Sequence, residues 1–249
     1  KGHGSLIDTP DGRWMVVYHS YENGFYNLGR QTLMEPVELT KDGWFKTCDN
    51  IDIEKAIPCP IKAQTDDNRY ARLDEFRVGL EWKFYKSYQP ERITVKDKEL
   101  TFKAKGGEIR TSPPILFVAG QHAYEVETRI ELEGDVTAGI VLYYNDHFFM
   151  GTGFNKEKRM RYRKGEERGS GNHKQPLTCL WLRLRNDRHI ITGAYSYDGV
   201  TWTRETWGMD ISGYHHNTLY EFQSVLPGLF VCGSGQARFK DFKFMILND

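Results

Sequence analysis

Apolar and charged side chains alternate along residues 124–133. One face of this stretch carries Tyr124, Val126, Thr128, Ile130 and Leu132, and the other carries Glu125, Glu127, Arg129, Glu131 and Glu133. A period of two residues is typical of a β-strand with one face against a core and one face in water. The pattern therefore predicts a half-buried strand here.

Similar short runs follow one another from residue 74 to residue 247. Residues 138–144 are continuously apolar and predict a central strand, and residues 177–185, 189–196 and 200–207 predict a meander broken by turn residues. Residues 229–232 and 237–246 close the series. About a dozen strands with almost no helical periodicity predict a two-sheet sandwich or jelly roll.

The first 46 residues predict a smaller group of strands. Residues 5–8 and 13–20 are strand-like and flank the turn Thr9-Pro10-Asp11-Gly12. Residues 27–39 predict a further strand before the turn at residues 40–43. An isolated hairpin is barely stable in water, so this segment needs more sheet to pair with. Because the chain starts at Lys1 without an initiating Met, we expect it to be the tail of a longer protein.

Residues 47–73 lack periodicity and contain Pro58, Pro60 and a polar run at residues 64–69. They predict a connector. The chain therefore divides into residues 1–46, a connector over residues 47–73, and a sandwich over residues 74–249.

Composition supports an all-β fold and excludes some partners. The 14 Tyr, 14 Phe, 6 Trp and 24 Gly favour strands and turns. The 34 basic and 34 acidic residues leave no net charge to attract nucleic acid or an anionic membrane. In the local basic run, Arg159, Arg161 and Arg163 alternate with apolar side chains, as in an ordinary exposed strand. No apolar run approaches the roughly 20 residues of a membrane helix, so we expect neither partner.

Four cysteines show no metal-type or redox-type C-x-x-C spacing. Cys179 and Cys232 lie in apolar strands and are expected to be buried thiols, whereas Cys48 and Cys59 flank a loop and could pair in an oxidising compartment. Secreted, periplasmic and cytoplasmic locations therefore all stay open.

Two residues near the start have candidate chemistry. His3 lies between two glycines, so its imidazole can reach a crowded centre or a metal, or can simply pack at a strand end. Arg30 follows Gly29, where the missing side chain lets another group approach. Its guanidinium suits bidentate contact with a hydroxyl or carboxylate, although Pro36 also fits a surface arginine on an edge strand.

Carboxylates in the predicted sandwich give two weaker candidates. Glu125 and Glu127 lie about 7 Å apart on one strand face, but Arg129 beside them would keep both ionised, which defeats a general acid. A solvated face of Glu–Arg pairs is the better interpretation. Asp74 and Asp241, near the first and last strands, would suit a shared structural calcium or be solvated turn carboxylates.

Several short motifs occur in order over the first 45 residues: Gly2-His3-Gly4-Ser5-Leu6, Asp11-Gly12-Arg13-Trp14, Val17-Tyr18-His19, Leu28-Gly29-Arg30, Glu35-Pro36-Val37 and Asp42-Gly43-Trp44. This series resembles the last blade of the five-bladed β-propeller of glycoside hydrolase family 43. Residues 74–247 resemble the concanavalin-like sandwich appended to its β-xylosidase and α-L-arabinofuranosidase type members, through Trp82 and residues 138–143, 196–202 and 237–242.

The resemblance implies roles at two positions. His3 matches a histidine on the propeller axis that helps to hold a central cation, often calcium, and Arg30 matches an arginine that lines the sugar pocket. It also implies that a sandwich loop borders the mouth of that pocket. The family's general base, modulating Asp and general acid lie on earlier blades. Inverting hydrolysis needs two carboxyl groups roughly 6.5–9.5 Å apart, and residues 1–46 supply no such pair.

Three functions stay open on the sequence. The chain is the C-terminal portion of an inverting xylosidase or arabinofuranosidase, inactive alone and partnered by the N-terminal propeller segment and a polysaccharide. It is otherwise a lectin-like carbohydrate-binding module, or a purely structural domain. The blade-like segment favours the first, and nothing in the sequence separates xylose from arabinose.

Overall fold

The computed structural model describes residues 2–49 and 81–247, together with Asp52, Lys55 and Phe76 between them. Strands form nearly all of its regular structure, as the sequence predicts. Asp74 and Cys59 lie outside the described residues, so the expectations that involve them stay open. Among the described residues, no helix has both the length and the apolar character that a membrane span requires.

An antiparallel four-stranded sheet, here called the N-terminal sheet, opens the chain. Its order is β1 (Gly2–Asp8), β2 (Trp14–Tyr21), β3 (Arg30–Leu39) and β4 (Phe45–Thr47). The predicted hairpin is present, with Gly12 at a φ of 81° in the turn. The strand predicted over residues 27–39 begins only at Arg30, because Tyr26–Leu28 form a 3-10 turn that ends at Gly29.

The remaining strands, here called the sandwich, form one continuous antiparallel hydrogen-bonded network. They are β5 (Trp82–Phe84), β6 (Ile93–Lys96), β7 (Glu99–Lys103), β8 (Ile115–Phe117), β9 (Ala123–Tyr143), β10 (Phe149–Phe154), β11 (Lys158–Arg163), β12 (Glu166–Asn172), β13 (Cys179–Asp187), β14 (Ile190–Ser196), β15 (Thr203–Asp210) and β16 (Leu226–Ile246). The short helix α1 (His216–Leu219) precedes β16.

Strands β9 and β16 divide this network into two layers. They pair with each other along their length. In the first layer, one half of this pair is flanked by β13, β14 and β15 on one side and by β7 and β6 on the other. In the second layer, the other half is flanked by β10, β11 and β12 on one side and by β8 and β5 on the other. The change of layer falls at Gly134, Gly233 and Gly235, whose φ angles of 97°, 112° and 138° suit glycine.

The main core lies between these layers. The five residues predicted on the inner face of β9 are all buried, with Val126, Thr128 and Ile130 fully enclosed. The four apolar residues among them belong to a cluster with residues of the opposite layer such as Ile140 and Phe154. The period-two prediction is therefore confirmed.

The charged face of β9 is less solvated than expected. Glu127 is 4% exposed and forms ion pairs with Arg183 at 2.5 Å and Lys243 at 3.4 Å, and Glu125 pairs with Arg183 at 3.2 Å. Arg129, the expected partner, pairs with Glu131 instead. The interpretation as Glu–Arg pairs holds with a different arginine, because β13 runs alongside β9 and places Arg183 opposite Glu127.

The loop after β14 is a hairpin, as predicted. The Asp198 carboxylate accepts hydrogen bonds from the amides of Val200 and Thr201, and β15 begins at Thr203 rather than residue 200. Trp202 lies against the Arg183 guanidinium at 3.8 Å from carbon to ring centre. Cys232 is buried as expected, whereas Cys179 is half-buried.

Candidate functional site

Arg30 lies at the first position of β3, where the N-terminal sheet meets the sandwich. Its guanidinium carbon is 3.7 Å from the centre of the Phe222 ring. Phe222 is 62% exposed and belongs to the loop between α1 and β16. Stacking on the aromatic face uses the flat side of the guanidinium and leaves its N–H donors at the edge. Among the described residues, no side-chain carboxylate pairs with Arg30, so these donors stay available to a ligand.

The Phe222 loop is held close to the N-terminal sheet by Gly29. A Cβ added at Gly29 would lie 2.3 Å from Ser224 Oγ, and the glycine has a φ of 75°. The amide of Val225 donates to the Asn27 carbonyl at 2.8 Å. These contacts require a glycine directly before Arg30, and they set the distance between Arg30 and Phe222.

Two further contacts orient Phe222. The His216 ring of α1 stacks on it with centres 3.8 Å apart and planes 18° apart. The Tyr144 hydroxyl donates to the Glu221 carbonyl. The aromatic ring is therefore supported from the sandwich although most of its surface faces solvent.

A histidine pair lies on the same sheet as Arg30. His3 Nδ1 and His19 Nε2 are 3.0 Å apart, and His3 has a φ of 52° within an irregular part of β1. Partial burial, followed by the charges of Arg30 and His3, lowers the pKa of His19. His19 therefore favours the neutral form, which can both donate and accept one hydrogen bond.

The residues expected to bind calcium, His3 and Asp241, lie on different sheets of the described structure. The described residues contain no group of three His, Cys, Asp or Glu side chains that could hold a metal ion. His3 has an imidazole beside it, whereas calcium prefers six to eight oxygen ligands. Asp241 lies next to Lys240 in the sandwich, far along the chain from His3, and its expected partner Asp74 is outside the described residues. The calcium expectation stays a prediction.

A second group of contacts joins the two sheets beside the Arg30 site. Phe25 stacks on His122 with ring centres 3.6 Å apart and planes 8° apart, and Glu22 pairs with His122 at 2.9 Å. His189 Nε2 lies 2.8 Å from the Gly24 carbonyl oxygen. The loop between β2 and β3 is thus fastened to the sandwich at two places, which fixes Arg30 opposite Phe222.

Sequence reasoning found His3 and Arg30 but missed Phe222, His216 and His19. The partners of Arg30 lie almost two hundred residues away, and no local pattern links them. One usable signal was the pair of aromatics in the polar segment Tyr220-Glu221-Phe222, since two large apolar side chains in a loop suggest a binding surface.

Comparison with known families matches both parts of the chain. Residues 1–45 match the family described as Glycosyl hydrolases family 43. Residues 73–245 match the family described as Beta xylosidase C-terminal Concanavalin A-like domain.

Individual relatives are distant and longer. The chain is 24% identical over 275 residues to the "Putative beta-xylosidase" of Escherichia coli K12, covering 83% of this chain and 46% of that protein. It is 27% identical over 114 residues to a non-reducing end α-L-arabinofuranosidase of Bacteroides ovatus, covering 43% of this chain and 22% of that protein. The chain thus spans less than half the length of these curated relatives.

Solved structures share the fold. A GH43 protein from Bacillus licheniformis superposes with a TM-score of 0.80 at 21% identity, covering 99% of this chain and 53% of that one. A xylan β-1,4-xylosidase from Bacillus halodurans gives 0.76 at 19% identity, covering 98% and 53%. At these identities the likeness supports the architecture alone.

Proposed function

We propose that this chain, which belongs to the family of β-xylosidase C-terminal concanavalin A-like domains, is the C-terminal portion of an inverting glycoside hydrolase acting on xylan- or arabinan-type polysaccharide. In this proposal residues 1–46 are the last blade of the catalytic propeller, residues 47–73 a connector and residues 74–249 its accessory sandwich. The observation that carries it is the Arg30–Phe222 contact, in which the N-terminal sheet and the sandwich each contribute one side chain to one surface.

The geometry supports a sugar-binding role for both side chains. The guanidinium edge of Arg30 offers paired donors that fit neighbouring sugar hydroxyls. Phe222 exposes an aromatic surface against which the C–H face of a sugar ring can pack, and His216 keeps it in place. Arg30 would bind and orient the sugar, and Phe222 would exclude water from one side of it.

In this proposal, the groups that carry out the acid–base chemistry lie outside this chain. The protonating and water-activating carboxyl groups of an inverting glycosidase lie roughly 6.5–9.5 Å apart, and the proposed enzyme takes them from earlier blades. The 249-residue chain is therefore expected to be inactive alone. His3 would contribute an imidazole at the propeller axis, and no step of the reaction is assigned to calcium.

Replacing Arg30 in the complete enzyme tests the proposal. Charge-assisted hydrogen bonds contribute about 1.5–3 kcal/mol, so Arg30→Ala should lower kcat/KM on an aryl xyloside or arabinofuranoside by about 10- to 100-fold. Thermal unfolding should stay near wild type because Arg30 is exposed. The matched control is Arg13→Ala, an exposed arginine bound to Asp11 away from the site. Unchanged kinetics for Arg30→Ala would remove the assignment.

A further inference from the structure

The two layers of the sandwich part at one side and leave a cleft between β11 and β15. Two adjoining cavities of about 400 and 340 Å³ share Arg161 and Trp207 as lining residues. Both volumes fall in the range of ligand pockets, roughly 300–1,000 Å³. The cleft lies in the sandwich and uses none of the Arg30 site.

Three arginines of β11 line this cleft, which no sequence pattern predicted. Arg159 and Arg161 lie opposite Phe154 and Thr152 of the neighbouring strand β10, and both β10 residues are fully buried. Residues opposite each other in antiparallel strands share a face, so these arginines face the interlayer side. The prediction of an ordinary exposed strand is therefore wrong for Arg159 and Arg161. Strand β11 is second from the edge of its layer, and its inner face lines the cleft.

The opposite wall comes from β14 and β15. The Glu205 side chain is 12% exposed and accepts a hydrogen bond from the Trp207 indole. Burial raises the pKa of Glu205, against the opposing effects of Trp207 and of Arg159. A Cβ at Gly193 would lie 2.6 Å from Trp207 and 2.7 Å from Glu205, so the glycine leaves room for both side chains against β14.

Arg159 carries an unused donor in this cleft. Its guanidinium carbon lies 3.7 Å from the centre of the Tyr195 ring, and its Nε is 3.9 Å from Glu205 Oε1. That Nε is buried and has no hydrogen-bond partner. A buried unsatisfied donor costs free energy that a ligand acceptor would recover.

The lining has a strong excess of positive charge although the whole chain has none. The basic residues are Arg159, Arg161, Arg163, Lys164, Arg168 and Arg204, and the acidic lining residue is Glu205. Arg161 donates to the Arg168 carbonyl, and among the described residues no ion pair joins Arg161 or Arg163 to a carboxylate. The cleft is therefore complementary to an anion.

We propose that this cleft binds a carboxylate-bearing sugar of an acidic oligosaccharide. Arg161 and Arg159 would hold the carboxylate, Trp207 would pack against the ring, and Glu205 would accept hydrogen bonds from hydroxyl groups. Trp207 and Glu205 favour a hydroxylated ring over a phosphate chain, because the indole offers a flat apolar face and the Glu205 carboxylate accepts hydrogen bonds from hydroxyl groups. The oligosaccharide nature of the ligand rests on the proposed function, and the carboxylate rests on the charge of the cleft.

Calorimetric titration of the whole 249-residue chain tests this. The probes are a xylo-oligosaccharide with one glucuronic acid branch and the same oligosaccharide without the branch. The acidic probe should bind at least tenfold more tightly, and its affinity should fall as NaCl is raised because added salt screens the guanidinium charges. Arg161→Gln should weaken its binding at least tenfold. The matched control is Arg185→Gln, an exposed arginine bound to Asp187 outside the cleft.

Equal binding of the two probes, or unchanged binding by Arg161→Gln, would overturn the proposal. Competition by inorganic phosphate or a short RNA at the same concentration would also overturn it, since the cleft would then be a general anion site. Arg161→Lys distinguishes loss of the binding group from misfolding, because a lysine at this position should restore part of the affinity. If neither probe binds while Arg30→Ala still lowers kcat/KM in the complete enzyme, the cleft assignment alone fails.

Discussion

Four arginines in the described part of the chain lie over aromatic rings, and three of them differ in what their remaining donors contact. Arg183 lies over Trp202, and its N–H donors form ion pairs with Glu125 and Glu127. Arg159 lies on Tyr195 with one donor unused. Arg30 lies on Phe222, and the described residues give it no carboxylate. The first arrangement is structural, whereas each of the other two leaves a donor for a ligand.

Asp198 gives a prediction about pH at the scale of one residue. Hydrogen bonds from the amides of Thr201 and Val200 and from the Ser196 hydroxyl hold the pKa of its carboxyl well below the ordinary value. A lowered folded-state pKa stabilises the fold above the unfolded pKa, about 3.9, and this contribution is lost as pH falls towards the folded value. Asp198→Ala should therefore lower Tm by a few degrees at pH 7, and the deficit should shrink at pH 2.

Thermal unfolding at the two pH values measures this deficit. Asp198→Asn is the matched control, because its amide oxygen keeps an acceptor without the titrating charge. Its deficit should be smaller than that of Asp198→Ala at pH 7 and should also shrink at pH 2, because both variants lose the same titrating carboxyl group. A deficit for Asp198→Ala that is the same at both pH values would contradict the assignment.

At the scale of single elements, β9 and β16 depend on glycine at the point where each changes layer. A Cβ at Gly134 would lie 2.5 Å from the Ser234 carbonyl oxygen, and one at Gly235 would lie 2.2 Å from the Glu133 carbonyl oxygen. Two strands can stay hydrogen-bonded through a sharp bend only if nothing projects between their backbones. Backbone space, as well as the positive φ, therefore selects glycine here.

Gly134→Ala should consequently destabilise the sandwich more than its φ alone requires. A positive φ costs a residue with a Cβ roughly 1–2 kcal/mol, and forced movement of the neighbouring backbone adds about 1–3 kcal/mol. Gly169→Ala is the control, since its φ is 71° but its nearest neighbours are Arg161 side-chain atoms at 3.5 Å or more. Urea denaturation followed by tryptophan fluorescence should give the larger loss for Gly134→Ala, and equal losses would exclude the backbone contact as the cause.

At the scale of the whole molecule, the position of the N-terminal sheet depends on one loop. Residues 22–29 carry Phe25 onto His122, and Gly29 lets the Phe222 loop approach. An antiparallel four-stranded sheet without further cover has a small core of its own. The sandwich therefore supplies part of the support for the sheet that carries Arg30 and His3.

Phe25→Ala tests that dependence. Loss of the stacked pair removes about 0.5–1.5 kcal/mol beyond the buried area, so amides of β1–β4 should exchange up to about tenfold faster with solvent deuterium. Amides of β9 and β13 should keep their protection. Trp44→Ala is the control, because Trp44 is 74% exposed on the same sheet. Unchanged exchange in β1–β4 would show that the sheet does not depend on this contact.

Much of this architecture could be predicted because it depends on residues that are close together in the chain. The inner face of β9, the turn at Asp198-Gly199 and the opening hairpin each follow from spacing within about ten residues. The family resemblance added His3 and Arg30, whose roles stay predictions. The start of β3 was missed because Gly29 ends a 3-10 turn instead of continuing the strand.

Side-chain contacts between residues far apart in the chain were decided only by the tertiary structure. Which arginine neutralises Glu127, which ring covers Arg30 and which way Arg161 faces all depend on which strands become neighbours. Local alternation sorts side chains into two faces, since side chains of a strand point to opposite sides in turn. It carries no information about what lies beyond each face, because that is set by pairings between residues far apart in the chain.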